Sequence, residues 1–559
     1  MTNMGSNEHA TTTAFLILAV GTQLVTLTRD PAAWSEPVFW LVYLTIATIT
    51  IYTCLRWPLA SVGKALPAIL ALAVILHLIV PGRQPSGFTW DWTSAHEMQI
   101  TELALKRGAL VFGSGNIEAS QFSYYPGVQM IIMALASITE LPLEVIFKLL
   151  APLLNPLILL SLYVFAKRAF KPSRSTAVMI ATLLVYAACP RFHFKDAFTV
   201  YESVAIVLVP LILGTWGSGA KKTFLSALML VALVMSHSLT SYVFLAFTLT
   251  LALSQLISSR QIALIPSAGK LAIVSFVLVG AWNLHAVTAR LQMTLLFTQN
   301  FSQAVLVALL GGEETGRVAQ VLGARQIDLA LTVLGIASLS LLAIAGMIVS
   351  LQEKRRHLVV FALCAGAIMF VLYELAPWTS PLIANSSDLQ TRGIVFGYLG
   401  VAPVAGLGIA RILRHARNLR TTLLATALLL LIFFPTIFVG FPHFYYRIDP
   451  MDKVGPQTMP QQRFLSAAWL HDHGSNLLHP IYSDELGTYY SGYFGMDQCE
   501  EVTVAITSRS YGGCDVIALD LAGASVGGTL VNADISWLEQ GSNRVYSTSA
   551  LTIFTPSSG

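Results

Sequence analysis

The chain has 559 residues, of which 55% are hydrophobic and only 11% charged, with a mean hydropathy of +0.68. Soluble proteins carry about 25% charged residues, so the composition excludes an ordinary soluble enzyme and indicates a polytopic membrane protein. The net charge of +4 is small and its cations fall in short clusters between apolar runs, which gives no indication of a nucleic-acid partner.

The first 12 residues are polar and lack the basic start of a signal peptide, so the apolar run behind them is expected to be a retained helix. Apolar runs of spanning length fall at 13–28, 36–55, 64–81, 145–166, 174–190, 199–215, 222–238, 240–258, 268–288, 327–350, 357–376, 392–413 and 420–440. That pattern predicts an α-helical membrane domain over residues 1–440 with about 13 transmembrane helices. The run 124–138 opens with Tyr-Tyr-Pro-Gly and is short for a span.

The positive-inside rule decides how that run is placed. If 124–138 lies along the surface, one set of loops collects Arg56 and Lys64, the Lys167–Arg174 cluster, Lys221 and Lys222, Arg260 and Lys270, Lys354 to Arg356, and the Arg411–Arg420 cluster. The opposite loops are longer and hold fewer cations. The N-terminus is therefore expected inside the plasma membrane and the C-terminus outside. The first polar loop, 82–144, is then external and carries an interfacial amphipathic helix. Two further external stretches are expected, 289–326 and a polar loop over 377–392 that ends on Arg392.

After residue 440 the composition turns soluble in character. A helix candidate at 460–471 and β-like runs at 479–483, 502–507, 515–521 and 544–554 predict a small extracytoplasmic α/β domain over 441–559. Cys499 and Cys514 lie in it, and in an oxidising exterior they can form a disulfide; the alternative is two free buried thiols. None of the five cysteines forms a CxxC pair.

The chemistry-bearing residues on the external side make a short list. The first loop reads WDWTSAHEMQITELALKRG over 90–108 and brings Asp91, His96, Glu97 and Glu102 close to the end of an apolar run. Carboxylates beside an apolar wall are candidates for base chemistry, although Asp91 can equally cap the helix that follows it. Lys195 and Glu202 come from PRFHFKDAFTVYES, His237 from SHSLTSY, and Arg325 and Arg392 from later external stretches. Ionisable groups at membrane depth are costly and point to function, with snorkelling anchors and packed structural groups as the bland alternatives. Acids on one loop and cations on several others suit a site that binds a phosphate and deprotonates a hydroxyl. The chain contains no HExxH, Walker loop or nucleophile elbow.

The order of these segments is distinctive. An acidic external loop, FTWDWTSAHEMQITELALKRG, is followed by a Tyr-Pro-Gly helix, FSYYPGVQMIIMALASITELP, and then by a span ending in a basic inner loop, LYVFAKRAFKPSR. With the charged helix start FKDAFTVYES and the turn SHSLTSY, this order resembles the GT-C superfamily of membrane glycosyltransferases, in particular an archaeal and bacterial branch. The resemblance runs from about residue 65 to 440 and extends weakly to NRVYSTSALTIF. It implies a polyprenyl-phosphate-linked sugar donor and a glycan, lipid or protein acceptor that meet at the extracytoplasmic face among membrane lipids. It places the catalytic acid at Asp91, with Glu97 next; of the other external polar groups, His96, Lys195, Glu202, His237, Arg325 and Arg392 are the substrate-binding candidates. Asp91 and Glu97 stand six residues apart, and the chain has no compact Asp-Asp or Asp-Glu doublet. That departure leaves open which acid is the base and whether a divalent cation, Mg²⁺ or Mn²⁺, takes part. A polysaccharide polymerase or ligase of another membrane fold, and a lipid-linked oligosaccharide flippase or other transporter, are the alternative functions.

Overall fold

A computed structural model describes residue 17 and residues 35–56, 62–82, 92–110, 125–154, 156–170, 175–189, 201–257, 267–285, 326–353, 355–379, 386–415 and 419–438, together with five strands between 481 and 556. The chain divides into two compact units. One comprises Met1–Arg83, Phe112–Val128 and Leu149–Pro442; the other comprises Gln84–Val111, Gln129–Lys148 and His443–Gly559.

The first unit is helical: α1 (Ser35–Arg56), α2 (Val62–Gly82), α6 (Leu157–Ala169), α7 (Ser175–Ala187), α8 (Tyr201–Thr215), α9 (Ala220–Ser236), α10 (Ser238–Ile257), α11 (Ala268–His285), α12 (Gln326–Gln352), α13 (Arg356–Thr379), α14 (Ser386–His415) and α15 (Leu419–Phe438). Helices α3 (Trp92–Arg107), α4 (Gly127–Thr139) and α5 (Leu143–Leu154) lie between α2 and α6 in the chain. Among the described residues, five helical stretches are long and apolar enough to cross a membrane, and several shorter apolar helices accompany them. Large apolar side chains stand exposed on α9 (Phe224, Leu228), α11 (Ile273, Phe276) and α12 (Leu341, Ile344). Apolar surface on this scale is a liability in water and is at home in lipid, as expected of a multi-pass membrane protein. The expected span 13–28 lies outside the described residues, Ile17 excepted.

Helix α14 is the centre of the first unit, with 89% of its stretch Gly393–Leu413 buried. Its glycines let other backbones come close, as in small-residue packing between membrane helices. A Cβ at Gly400 would come within 3.1 Å of Phe361 O on α13. At Gly408 it would overlap Leu342 O on α12, and at Gly406 it would come within 2.8 Å of Thr182 N on α7.

Helix direction sorts the unit into two ends. Gly214, at the end of α8, packs against Val164 and Phe165 near the end of α6, and Arg168 in the last turn of α6 donates to Gly214 O and Trp216 O, so the two helices finish together and run the same way. Helix α7 follows α6 after a short connection, and α9 follows α8 after the turn 216–219, so each reverses direction. Thr182 lies against Gly406, and Cys189 lies near Tyr398, which makes α7 and α14 antiparallel. One end therefore holds the finish of α6 and α8 and the start of α7 and α9. The other holds the start of α8, the α9–α10 corner and the first half of α14.

One expectation about helices changes. The stretch 377–392 is helical at both sides, because α13 runs to Thr379 and α14 begins at Ser386. Ser386, Ser387 and Asp388 are residue types favoured at a helix start, and they carry the helix past the point where an apolar run alone begins. The span expected at 145–166 is matched by the apolar helical stretch Val145–Ala169, in which Pro152 lies inside α5 and Pro156 caps α6; proline supplies no N–H for the helical ladder.

In the second unit, α3 ends on Gly108, whose φ of +65° suits a residue without a side chain. Its Gly108 N–H donates to Leu105 O and Ala109 N–H to Ala104 O, closing the last turn. The C-terminal strands β1 (Ile481–Ser483), β2 (Gln498–Glu501), β3 (Val516–Asp520), β4 (Ser542–Ser547) and β5 (Leu551–Pro556) form a mixed sheet in the order β2-β1-β3-β5-β4. Strand β1 is parallel to β2 and β3, and β5 is antiparallel to β3 and β4. The expected run 544–554 is thus two strands rather than one, with Ile517 opposite Phe554 and Arg544 opposite the same residue. Strand β2 was not anticipated, since Gln-Cys-Glu-Glu has little β character; it forms one edge of the sheet. The helix candidate 460–471 and the run 502–507 lie outside the described residues.

Candidate functional site

The best-defined polar constellation is the α9–α10 corner. His237 interrupts two apolar helices with an extended backbone, φ −155° and ψ 127°. Its N–H donates to Leu233 O at 3.2 Å and ends α9. Its carbonyl accepts from Ser241 N–H at 3.2 Å and from Ser241 Oγ at 2.6 Å, which starts α10. The ring turns back onto the same helix, where Nδ1 accepts from the Thr240 N–H at 3.4 Å and lies 2.7 Å from Thr240 Oγ1. This is an N-cap made by imidazole, with the ring nitrogen in the role that a Ser or Asp oxygen usually fills. A ring nitrogen that faces a backbone N–H is an acceptor, so the hydrogen-bond pattern assigns the neutral ring proton to Nε2. His237 is 2% exposed.

Tyr125, Pro126 and Gly127 open α4, and Gly127 lies against this corner. A methyl group built on Gly127 would overlap Ser236 Oγ and come within 3.0 Å of Ser236 Cα. Ser236 Oγ cannot swing away freely because it donates to Ala232 O at 2.7 Å. Two sequence motifs more than a hundred residues apart, Tyr-Pro-Gly and Ser-His-Ser-Leu-Thr, are therefore in direct contact.

Glu202 is 2% exposed in the first turn of α8, where the helix dipole favours negative charge. Arg392 stands in the second turn of α14. The helix directions put Glu202, His237 and Arg392 at one end of the first unit. His96 and Glu97 lie in the first turns of α3, in the second unit. Asp91, Lys195, Arg325 and Cys514 lie outside the described residues, while Cys499 is in β2. Glu102, also in the acidic loop, is exposed and paired with Lys106 at 2.7 Å, an ordinary helix-surface ion pair.

No protein-family model matches the chain, and the comparison with curated proteins gives no match. The chain is similar to two solved glycosyltransferases. One is the archaeal oligosaccharyltransferase AglB from Archaeoglobus fulgidus, solved with an inhibitory peptide and a dolichol-phosphate: 13% identity and a TM-score of 0.49 over 88% of this chain and 74% of that one. Its apo form gives 14% identity and a TM-score of 0.47 over the same shares. The other is the arabinofuranosyltransferase AftD from Mycobacteria, with 14% identity and a TM-score of 0.46 over 88% of this chain and 41% of that one. Both are glycosyltransferases, the class that the sequence resembles; at these identities and scores the likeness carries neither substrate nor mechanism to this chain.

At the opposite end of the first unit two arginines have structural roles. Arg168 Nη1 donates to Gly214 O at 3.3 Å and to Trp216 O, closing the C-terminus of α8. Arg355 donates to Ala169 O at 3.4 Å, lies over the Phe170 ring at 5.8 Å and pairs with Glu353 at 3.1 Å. Sequence reading missed both clamps and the Gly127–Ser236 contact. The Tyr-Pro-Gly start was the available signal for the second, and nothing in the basic clusters separates a clamping arginine from its neighbours.

Proposed function

We propose that the chain is an integral membrane glycosyltransferase that moves a sugar from a polyprenyl-phosphate-linked donor to an acceptor hydroxyl at the extracytoplasmic face. The observation that carries the reading is the segregation of charge. Lys167, Arg168, Lys221, Lys222, Arg355 and Arg411 fall at one end of the helical unit, and Glu202, His237 and Arg392 fall at the other. By the positive-inside rule the basic end is cytoplasmic, so the His237 end and the chain beyond α15 face outward. The order of motifs along the sequence supplies the class of reaction.

In this reading Asp91 or Glu97 takes the proton from the acceptor hydroxyl as that oxygen attacks the anomeric carbon. The bond from that carbon to the lipid phosphate breaks, and the phosphate leaves with the electron pair. Lys195, Arg325 and Arg392 stabilise the charge that develops on the departing phosphate. A single displacement inverts the anomeric carbon. Among the described residues no three His, Cys, Asp or Glu side chains group as metal ligands, and no step here is routed through a metal.

Transfer from radiolabelled polyprenyl-phosphate pentoses and hexoses, measured in nanodiscs with and without a chelator, tests the reading. Asp91→Asn keeps the side chain's size but cannot accept the proton, and turnover should fall about 10²- to 10⁴-fold with expression and donor binding near normal. Glu97→Gln is the paired control, and the larger loss identifies the base. Wild-type rates in both variants would remove the first loop from the chemistry and favour the polymerase or transporter readings.

A further inference from the structure

His357 is a buried titratable group that the transfer reaction does not use. It stands in the first turn of α13, and neither ring nitrogen has a hydrogen-bond partner among the described residues or any access to water. Ser350, in the last turn of α12, is likewise buried with its hydroxyl unpartnered among the described residues. Native interiors pair nearly all of their buried polar atoms, so three unmet atoms at one helix corner call for a reason.

The corner itself is closely tied. Glu353 N–H donates to Val349 O at 2.9 Å as α12 ends, Arg355 N–H donates back to Ser350 O at 2.6 Å, and Leu358 N–H donates to Arg355 O at 3.0 Å as α13 starts. The Arg355 side chain docks the corner on the end of α6, through Ala169 O and the Phe170 ring, with Glu353 as its ion-pair partner. One turn beyond His357 on the same side of α13, Phe361 packs on Phe165 of α6 and Phe247 of α10, with ring centroids 5.4 and 4.9 Å apart. Along the helix His357 therefore stands between a clamped guanidinium and an aromatic cluster.

An imidazole in that place must be neutral. A proton on the ring has no acceptor there, and the Arg355 guanidinium opposes the charge. The neighbouring elements offer no relief. Arg356 follows in the corner, Lys167 and Arg168 lie in the last turn of α6, Arg411 and Arg414 lie near the end of α14, and Glu353 is already paired with Arg355. Helix α10 carries no Asp, Glu, Lys, Arg or His, and α12 carries only Asp328, at its far end. The other titratable residues of α13, Cys364, Tyr373 and Glu374, stand two or more turns away. The Leu358–Arg355 bond ties the ring's residue into the turn that bears Arg355, so the ring cannot leave its place without turning the corner.

We propose that His357 is a proton-operated latch: taking up a proton drives its ring out of the packed side of α13, and the corner that carries Arg355 comes away from the end of α6. The described structure is the neutral, closed state. Closure is complete above the ordinary imidazole range, near ~6.5, and is lost as pH falls below it, because only the open corner accommodates the proton. The proposal does not rest on the transfer reaction. Nanodiscs expose both faces of the membrane, so its test does not depend on which side this end occupies.

Hydrogen exchange of the backbone amides over 353–358, corrected for the intrinsic effect of pH, reads the latch in the full-length protein in nanodiscs at about pH 7.5 and about pH 4.5, on either side of the imidazole range. In the wild type the corner should exchange several-fold faster at the lower pH, while the α14 stretch Gly393–Leu413 keeps its protection. His357→Leu removes the proton site together with two buried unpaired nitrogens, so it should fold at least as well as the wild type and keep the corner protected at both pH values. Glu353→Gln leaves the imidazole in place and should still show the rise on acidification. Arg355→Met removes the clamp and should exchange fast at both. No rise in the wild type, a rise that survives in His357→Leu or disappears in Glu353→Gln, or an equal rise over Gly393–Leu413 overturns the proposal, as does a corner that stays protected in Arg355→Met.

Discussion

The two ends of the helical unit hold ionisable residues for different purposes. At the Arg168 end two of the cations serve the fold: Arg168 and Arg355 donate to carbonyls at the ends of α8 and α6, where the last turns leave oxygens without helical partners. At the His237 end the described titratable groups are of mixed kind, a carboxylate in a first helical turn, an imidazole used as a cap and an arginine in the second turn of the central helix. A cluster of like charges next to several helix ends is explained by topology and capping. Unlike ionisable groups gathered at one end of a membrane bundle are not explained by topology alone, and such groups at membrane depth are costly to keep.

The comparison breaks outright if the ends are misassigned. Helix α15 starts just after α14 finishes and returns towards the His237 end, so a reporter fused after residue 445 reads the side on which that end opens. Alkaline phosphatase should be active there and a cytoplasm-only reporter silent; the reverse pattern moves the proposed site to the cytoplasm. The next largest effect separates arginines on one helix. Arg392→Ala should weaken use of the lipid donor about ten- to a hundredfold, from loss of one charge-assisted contact, whereas Arg414→Ala, in the last turns of α14, should leave donor KM near wild type. Equal small effects make Arg392 an anchor.

At the basic end, Arg168→Met keeps the apolar stem and removes the donors. Loss of hydrogen bonds to a charged group costs about 1.5–3 kcal/mol, which thermal unfolding in nanodiscs should register while kcat per folded molecule stays at the wild-type value. The smallest expected effect concerns His237. His237→Ala should cost about 1 kcal/mol through the lost cap of α10, and His237→Asn, whose amide oxygen caps well, should recover most of it. If Asn restores stability but leaves transfer impaired, the imidazole has a task beyond capping; full recovery of both reduces it to a cap.

The membrane character, the positions of most helices and the grouping of basic loops were legible in the sequence, because a run of about 20 apolar residues has few uses other than spanning lipid. The strand at 481–483 and that at 516–520 were legible for a similar reason, a short β-branched or aromatic run between turn residues. The sequence also nominated Glu202, His237 and Arg392, since polar residues at the ends of apolar runs stand out. Only the tertiary structure decided that these three share one end, that Gly127 lies on Ser236, that the 544–554 run folds back on itself, and that Glu102 is tied to Lys106. Helix direction and close backbone approach depend on pairs of residues far apart in the chain. Hydropathy is a local quantity, and it cannot say which glycine a distant serine will meet or which arginine will find a carbonyl at the end of another helix.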